Sequence, residues 1–182
     1  PKLGIEYYED SFKMIRSKFP MVGVHGLSTS EIDTIAKVEK SSTKEVLSRL
    51  KDAGLQSVPG AGAEILTDSV KEIISPKKID SDAWIRIMKE SFELGLPASA
   101  TMMYGHVETD NDIVEHYDKI VKLQKNLNGF MAFIPWSFEP NNTLMQKEGI
   151  VTTGAGGIQL LKMIAISRII FDGLIDHIQS SW

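Results

Sequence analysis

The sequence predicts an α/β fold with parallel strands, arranged as an arc of a TIM-type (β/α) barrel. Short apolar runs near residues 21, 55, 98 and 130 alternate with amphipathic helical segments long enough to connect parallel strands. Small and polar residues follow three of these runs, within Gln56–Leu66, Ala98–Thr109 and Gly129–Thr143. Because a barrel places its site at the carboxyl ends of its strands, this clustering favours a barrel arc over the alternative, a doubly wound sheet.

Composition and charge limit the classes of protein to consider. The chain has 182 residues, 42% of them hydrophobic and 24% charged, which predicts one globular domain over 1–182. A complete TIM barrel needs about 250 residues. With a net charge of −4 and no basic cluster, we expect no nucleic-acid partner. The longest apolar run, Leu160–Leu174, is interrupted by charges, so we expect no membrane span and a cytoplasmic protein.

The first helix and strand are predicted from spacing and from one proline. Residues 5–19 place apolar side chains at helical intervals, and Pro20 ends that run. The short apolar segment Met21–His25 is predicted to be a strand. Ser28, with Glu31 three residues later, predicts a capping box and a second helix after it.

The next unit repeats this organisation. Ser42 and Glu45 predict another capped helix, which Gly54 ends. A second strand is predicted over Leu55–Val58. The small-residue segment Pro59–Ala63 then predicts a tight turn at the end of that strand.

Two helices are predicted before the third strand. A short one lies near Ser69–Ile74, and a longer one begins at Asp80 or Ser81 and ends at Gly95. The strand that follows, Ala98–Met103, runs directly into the most polar of the three predicted strand ends.

The remaining elements complete the alternation. Thr109 with Asp112 predicts a capped helix, and Phe130–Ile134 predicts the fourth strand. A strongly apolar helix is predicted over Ile158–Phe171. Residues Asp176–Trp182 are a possible fifth strand.

His25 and Glu64 are candidate acid and base groups. His25 ends the first strand, where it would contact a substrate at neutral pH or serve as a hydrogen-bonded rim residue. Glu64 follows the Gly60–Gly62 turn among apolar neighbours. Burial there would raise the pKa of its carboxyl group and suit acid–base chemistry, whereas an exposed helix cap is the structural alternative.

Gly105, His106 and Glu108 form the polar end of the third strand. Two ligands without a third give little support for a metal site, so we favour Glu108 as an acceptor for a cationic or hydroxylated ligand. After the fourth strand, the Ile134–Trp136 step brings an aromatic ring to the same edge. That ring could stack on a planar ligand or belong to the core. These residues alone predict a small-molecule site without naming a reaction.

Three segments carry a family resemblance: SVPGAGAEIL, ATMMYGHVET and GFMAFIPWSFEPNNT. Together they resemble the radical S-adenosylmethionine (SAM) enzymes of the futalosine route to menaquinone, whose sisters include aminofutalosine synthase and the tyrosine-using subunit of deazaflavin-cofactor synthase. The resemblance extends over essentially the whole chain. The segment Phe133–Trp136 is most like that of the dehypoxanthinylfutalosine cyclases, whereas residues 25–27 depart from the usual pattern.

The resemblance implies a fold, a reaction and two cofactors. The fold is a partial (β/α)6 barrel that holds a [4Fe–4S] cluster with SAM, from which a 5′-deoxyadenosyl radical starts the cyclisation of a futalosine-derived substrate. It also implies roles for individual residues. The residues expected at SAM are Ser57, Gly105, Glu108, Ile134 and Pro135. The residues expected at the substrate are His25, Glu64, His106 and Trp136, with His25 and Glu64 as the catalytic pair.

One departure from the family is large. The three cysteines that bind the family's cluster follow its first barrel strand, but this chain contains no cysteine. We therefore expect a C-terminal portion of such an enzyme, lacking the first two strands and inactive by itself. An open arc would expose strand edge and apolar surface, which predicts self-association. The alternatives are a non-catalytic remnant that binds a nucleoside-like ligand, and an unrelated barrel enzyme that uses His25 and Glu64.

Overall fold

The computed structural model describes residues 3–180. The helices are α1 (Ile5–Lys18), α2 (Thr29–Glu39), α3 (Thr43–Ala53), α4 (Asp68–Ile74), α5 (Ser81–Glu93), α6 (Asp110–Leu127), α7 (Leu144–Lys147) and α8 (Gly157–Ile170). The strands are β1 (Ala98–Tyr104), β2 (Phe130–Ser137) and β3 (His177–Ile178). The predicted alternation of strands and helices is confirmed.

All strand pairings are parallel and follow the order of the chain. β1 pairs with β2 along its whole length, and β3 joins the other side of β2. Two single bridges, His25 with Ser57 and Val58 with Ala98, add two more segments on the β1 side. The predicted parallel α/β class is therefore confirmed. A doubly wound sheet reverses its strand order at a switch point, and these pairings contain no reversal.

The first two predicted strands are shorter than expected. Met21 lies in a turn with 95% of its surface exposed, so Met21–His25 is reduced to the bridge at His25. The Gln56 side chain gives a reason, because its Oε1 accepts the Val24 N–H at 3.0 Å in place of a strand partner. In the fifth predicted strand, Asp176–Trp182, pairing covers His177–Ile178, and its last two residues lie outside the described part.

The predicted helix starts are confirmed by their hydrogen bonds. Both reciprocal bonds of a capping box are present at Ser28 with Glu31 and at Thr109 with Asp112. Ser42 accepts the Glu45 N–H at 3.1 Å. These caps satisfy backbone donors that the first turn of a helix leaves free, which fixes where each helix begins.

The core lies between the sheet and the helices that cross over it. Trp84, Tyr104, Phe133 and Phe171 are among the largest fully buried side chains. The rings of Phe133 and Phe171 lie 4.7 Å apart between centroids, and Tyr117 contacts both. This aromatic cluster fixes β2 against α6 and α8, and so fixes the carboxyl end of β2.

α8 is apolar around most of its circumference but largely exposed. Only Met163 and Ser167 are buried along this helix, whereas Ile158, Leu161 and Ile169 are between 68% and 81% exposed. Helices with so little polar surface are usually enclosed by other protein or by lipid. Within residues 3–180, however, no helix is both long and apolar enough to cross a bilayer.

Candidate functional site

A cavity of about 480 Å³ lies at the carboxyl ends of the parallel segments. Glu64, Met103 and Trp136 line it from three successive strand ends, and residues 74–78 close one side. A larger cavity of about 620 Å³ lies between α6 and α8, but it contains none of the predicted site residues. The smaller cavity is therefore the better candidate, because it collects polar groups where parallel strands end.

The loop from Gly60 to Leu66 carries Glu64 to this cavity. Gly60 lies so close to β1 that a Cβ would fall 2.5 Å from the Ser99 carbonyl oxygen, which requires glycine. β1 also binds the loop through two side chains. Ser99 Oγ accepts the Gly60 N–H at 3.0 Å, and Thr101 Oγ1 donates to Gly60 O at 2.9 Å.

Glu64 is a buried carboxylate with a lysine partner. Only 5% of its surface is exposed, so it is not an exposed helix cap. Its Oε1 pairs with Lys78 Nζ, and its backbone oxygen accepts the Met103 N–H at 2.7 Å. The sequence predicted a carboxylate among apolar neighbours, and the structure adds a counter-ion that spacing did not reveal. Glu64 adopts a left-handed backbone with φ of 47°, uncommon for a residue with a side chain.

Glu108 closes the turn after β1 with its own carboxylate. Oε1 accepts the Gly105 N–H at 2.5 Å, and Oε2 accepts the His106 N–H at 2.8 Å. Desolvation acts to raise the pKa of Glu108, but the His106 side chain and the two backbone N–H groups outweigh it. The pKa falls to about 2. The carboxylate is therefore ionised at neutral pH and fixes the turn.

The His106 ring is enclosed by its own turn. Nε2 lies 3.1 Å from Met103 O, and Nδ1 lies 2.8 Å from the backbone N of Val107. Nδ1 also lies 2.9 Å from Glu108 Oε2, which would accept from the protonated ring. The side chain is fully buried, with its edge against Phe138. These contacts hold His106 within the turn after β1, and it does not line the cavity.

His25 and Ser57 form a separate pair at the first bridge. His25 Nδ1 lies 2.7 Å from Ser57 Oγ, across the parallel contact of their two segments. Although the residue is exposed as a whole, partial burial of its ring lowers the pKa of His25. This burial favours the neutral form of the imidazole. Neither residue lines the cavity that holds Glu64.

Residues 134–136 lie beside the end of β1. In the parallel register Ile134 pairs with Thr101, Pro135 with Met102, and Trp136 with Met103. Pro135 is buried and Ile134 half-buried, while Trp136 lines the cavity. Within the described residues the indole Nε1 of Trp136 is buried without a hydrogen-bond partner. An unmet donor beside a cavity is costly unless a ligand or water accepts from it.

The sequence-based interpretation missed three residues at this site. Met103 was predicted only as the end of a strand, and neither Lys71 nor Lys78 was predicted near Glu64. Lys78 lies 14 residues after Glu64, and no periodic pattern connects the two. The sequence feature that could have indicated Lys78 is the Pro-Lys-Lys-Ile segment. Two adjacent lysines after a proline predict an exposed cationic segment, and this one follows the predicted carboxylate in the chain.

Two family descriptions match adjoining parts of the chain. Residues 1–120 match the radical SAM superfamily, and residues 127–182 match the CofH/MqnC C-terminal region. The chain belongs to the radical SAM superfamily. The two matches adjoin within α6, yet β1 and β2 on either side pair fully, so this boundary is not a break in the fold.

Several relatives in this superfamily match the entire chain. It is 39% identical over 186 residues to the 5-amino-6-(D-ribitylamino)uracil–L-tyrosine 4-hydroxyphenyl transferase 1 of Methanosarcina mazei, covering 49% of that protein. It is 41% identical over 185 residues to the corresponding transferase of Methanocaldococcus jannaschii, covering 52%. It is 37% identical over 182 residues to the cyclic dehypoxanthine futalosine synthase of Streptomyces coelicolor, covering 44%. The chain spans about half the length of these relatives.

Radical SAM domains use SAM and a [4Fe–4S] cluster, and the residues present fit these two groups differently. The chain has no cysteine, so it supplies no thiolate ligand for the cluster. Within residues 3–180 there is also no cluster of three metal-binding side chains. A small polar molecule does fit, because Glu64 and Trp136 line one cavity and the buried indole N–H of Trp136 has no protein partner among the described residues.

Proposed function

We propose that these residues belong to a radical SAM enzyme that converts a small polar substrate at the carboxyl ends of a TIM-type barrel. Family membership, and parallel pairings that follow chain order without reversal, support this proposal. The observation that carries it is the cavity bounded by Glu64, Met103 and Trp136. When bound together, SAM and the cluster supply a carbon-centred radical that begins the reaction.

The cavity suits a substrate with a planar ring and several hydroxyl groups. The Trp136 ring provides a face for stacking, and its unmet N–H provides a donor. Glu64 provides an acceptor for a hydroxyl or ammonium group. The Lys78 side chain is 46% exposed. A ligand could therefore replace it at Glu64, because the displaced ammonium group would move into solvent.

The remaining residues are assigned by position. Ser57, Gly105, Glu108, Ile134 and Pro135 would contact SAM, with the turn held by Glu108 forming a rigid edge of its site. Glu64 and Trp136 would contact the substrate in the cavity, and His25 would approach it from the neighbouring strand end. The fully buried His106 would act on the substrate through the turn that it fixes. Burial favours the neutral form of His25, which can accept a proton and so suits the role of base, whereas Glu64 would orient the substrate or exchange a proton with it.

We propose the cyclisation of dehypoxanthinylfutalosine as the reaction. The support is the aromatic segment Phe133–Trp136, which resembles that of the cyclases and supplies the ring at the cavity. Relatives named as transferases support a second candidate, the 4-hydroxyphenyl transfer reaction between L-tyrosine and 5-amino-6-(D-ribitylamino)uracil. Both substrates combine polyhydroxyl and planar groups, so the same cavity chemistry serves either reaction.

The two reactions are separated by a product assay on the complete protein. The protein is reconstituted anaerobically with iron and sulfide, reduced, and given SAM with each substrate set in turn. Mass spectrometry then measures 5′-deoxyadenosine and the organic product. We expect the cyclic product from dehypoxanthinylfutalosine and none from the uracil with tyrosine. The reverse result establishes the second candidate. Ligand binding without either product favours the non-catalytic alternative.

Replacing Trp136 tests the cavity itself. Trp136→Leu removes the stacking surface and the unmet donor, so we expect kcat/KM for the organic substrate to fall roughly 100-fold, equivalent to about 2.7 kcal/mol. Tyr7→Leu, at a residue 56% exposed on α1, is the matched control and should not change it. Equal kinetics for the two variants would reject this cavity as the substrate site.

A further inference from the structure

Lys71 is a buried cation beneath the loop that carries Glu64. Only 4% of its surface is exposed, and its Nζ donates to Gly62 O at 2.8 Å and to Ala63 O at 3.0 Å. Among the described residues, no carboxylate lies within ion-pairing distance of Nζ. A buried ammonium group without a direct counter-ion is costly, so its position calls for a physical reason.

The charges that face Lys71 come from every neighbouring element. Glu64 on the loop, Asp68 on the same helix and Asp80 at the start of α5 favour its charged form, whereas Lys78 opposes it. Lys71 in turn disfavours protonation of His116 on α6. Desolvation is the largest effect on Lys71 and lowers its pKa to about 8. The two backbone carbonyls are its direct partners.

Those carbonyls belong to the two residues immediately before Glu64. Gly62 has φ of 92°, which glycine adopts readily, whereas Glu64 has φ of 47°, which is uncommon for a residue with a side chain. Lys71 fixes the backbone before Glu64, and the Met103 N–H fixes it after Glu64 at 2.7 Å. Between these contacts, the backbone has little freedom to turn the carboxylate away from the cavity.

We propose that Lys71 is a positioning residue, which holds the Glu64 carboxylate in the cavity through the carbonyls of Gly62 and Ala63. The effect on turnover rests on the proposed function, whereas the effect on the position of Glu64 does not. Lys78 pairs with Glu64 directly from a partly exposed segment. Lys71 contacts only the backbone and so leaves the carboxylate available to a ligand.

The position of Glu64 is tested by crystallography on the complete protein. In Lys71→Ala, the buried carbonyls lose their donors, and we expect the Met103 N to Glu64 O contact to break and the carboxylate to leave the cavity. Soaking with ethylammonium, which can enter the adjacent cavity of about 220 Å³ lined by Lys71, should restore both. A Glu64 that stays in place in this variant overturns the proposal. Lys71→Met replaces Lys71→Ala if the latter does not fold.

Turnover provides the second measurement. We expect Lys71→Ala to lower kcat/KM about 100-fold, in the range that misplacement of a substrate-orienting group produces. Ethylammonium should recover part of the loss. In a Glu64→Gln background the same change should have little further effect, because Lys71 acts through Glu64. If Lys71→Ala and Glu64→Gln lower kcat/KM additively, and ethylammonium recovers none of the loss, the proposal is overturned.

Ser91→Ala is the control for a loss of stability alone. Ser91 Oγ donates to Leu96 O at 2.8 Å in a buried turn between α5 and β1. This variant should unfold more easily but keep its substrate kinetics and gain nothing from the amine. If the wild-type protein lacks activity with both substrate sets, the proposed function fails, while the crystallographic measurement still decides the position of Glu64.

Discussion

Two carboxylates at the strand ends are held in opposite ways. Glu108 is bound by the backbone N–H groups of Gly105 and His106, which cannot move without unfolding the turn. Glu64 is bound by a side chain, Lys78, that is partly exposed and can swing away. A ligand can therefore compete for Glu64 at little structural cost but cannot compete for Glu108. Glu64 can thus exchange its partner for a ligand, whereas Glu108 keeps its bonds to the turn.

His116 should make stability depend on pH in the weakly acidic range. It is fully buried, its Nδ1 accepts the Leu66 N–H at 3.0 Å, and desolvation, with Lys71 and Lys119, lowers its pKa to about 3. The unfolded state binds a proton near the ordinary value of about 6.5. Stability is therefore full above about pH 6.5 and falls as pH decreases toward 3, by up to about 1.4 kcal/mol per pH unit.

His116→Gln keeps an acceptor for Leu66 but does not titrate. Denaturant unfolding between pH 7 and 5 should therefore show a flatter dependence for this variant than for the wild type. His177→Gln, at an exposed histidine, is the control and should keep the wild-type slope. Parallel curves for all three proteins would show that His116 is not the group responsible.

Sequence reasoning located several of these residues but not their partners. Glu64 and Trp136 were predicted at the site because each follows a strand, and the cavity includes both. Lys78 and Lys71 were missed because their contacts join residues across a loop, where no spacing rule applies.

At the scale of elements, helices were easier to predict than strand lengths. Helix starts follow from local hydrogen bonds, and the pairs Ser28 with Glu31 and Thr109 with Asp112 both form as predicted. Strand lengths depend on the neighbouring segment. Because the Gln56 side chain occupies the Val24 N–H, the first two segments meet in a single bridge, which their own residues do not reveal.

Gly60 should be the least replaceable residue of the loop. A Cβ there would lie 2.5 Å from Ser99 O and 2.8 Å from Ala100 Cα, both backbone atoms of β1. We expect Gly60→Ala to lower the free energy of unfolding by about 1–3 kcal/mol, the range for overpacking, because the loop must move away from β1. Denaturant unfolding of the complete protein measures this change.

Gly157→Ala is the matched control. A Cβ at this first residue of α8 would meet no atom within 4 Å. Alanine favours a helix, so the variant should be neutral or more stable by a few tenths to about 1 kcal/mol. If Gly60→Ala and Gly157→Ala lower the free energy of unfolding equally, close approach to β1 is not the reason that position 60 requires glycine.

For the whole molecule, the 182-residue chain expressed alone should associate. The segment at His25 is paired only on the Ser57 side within the described residues, and α8 exposes Ile158 and Ile169 at 81% and 77%. Apolar surface of this kind and unpaired strand edges both favour contact between molecules. Light scattering should show a mass well above 20.2 kDa at micromolar concentration.

Changing α8 identifies which surface is responsible. Ile158→Lys with Ile169→Lys should lower the apparent mass if α8 is the main contact. Lys122→Glu, at an exposed residue of α6, is the control for a change of charge alone. A monomer of the unmodified chain at all concentrations would contradict the prediction of self-association.

The strand pairings differ in length between the β1–β2 side of the sheet and the side that carries His25. The backbone hydrogen bonds of these two sides should therefore open at different rates. β1 and β2 share a ladder of seven paired residues, whereas His25 and Ser57 meet at a single bridge. Amide protons of β1 and β2 should therefore exchange with deuterium only on extensive unfolding, while those near His25 exchange through small local fluctuations. The edge that carries Trp136 is then the more rigid side of this end of the sheet, and the edge that carries His25 is the side that fluctuates more easily.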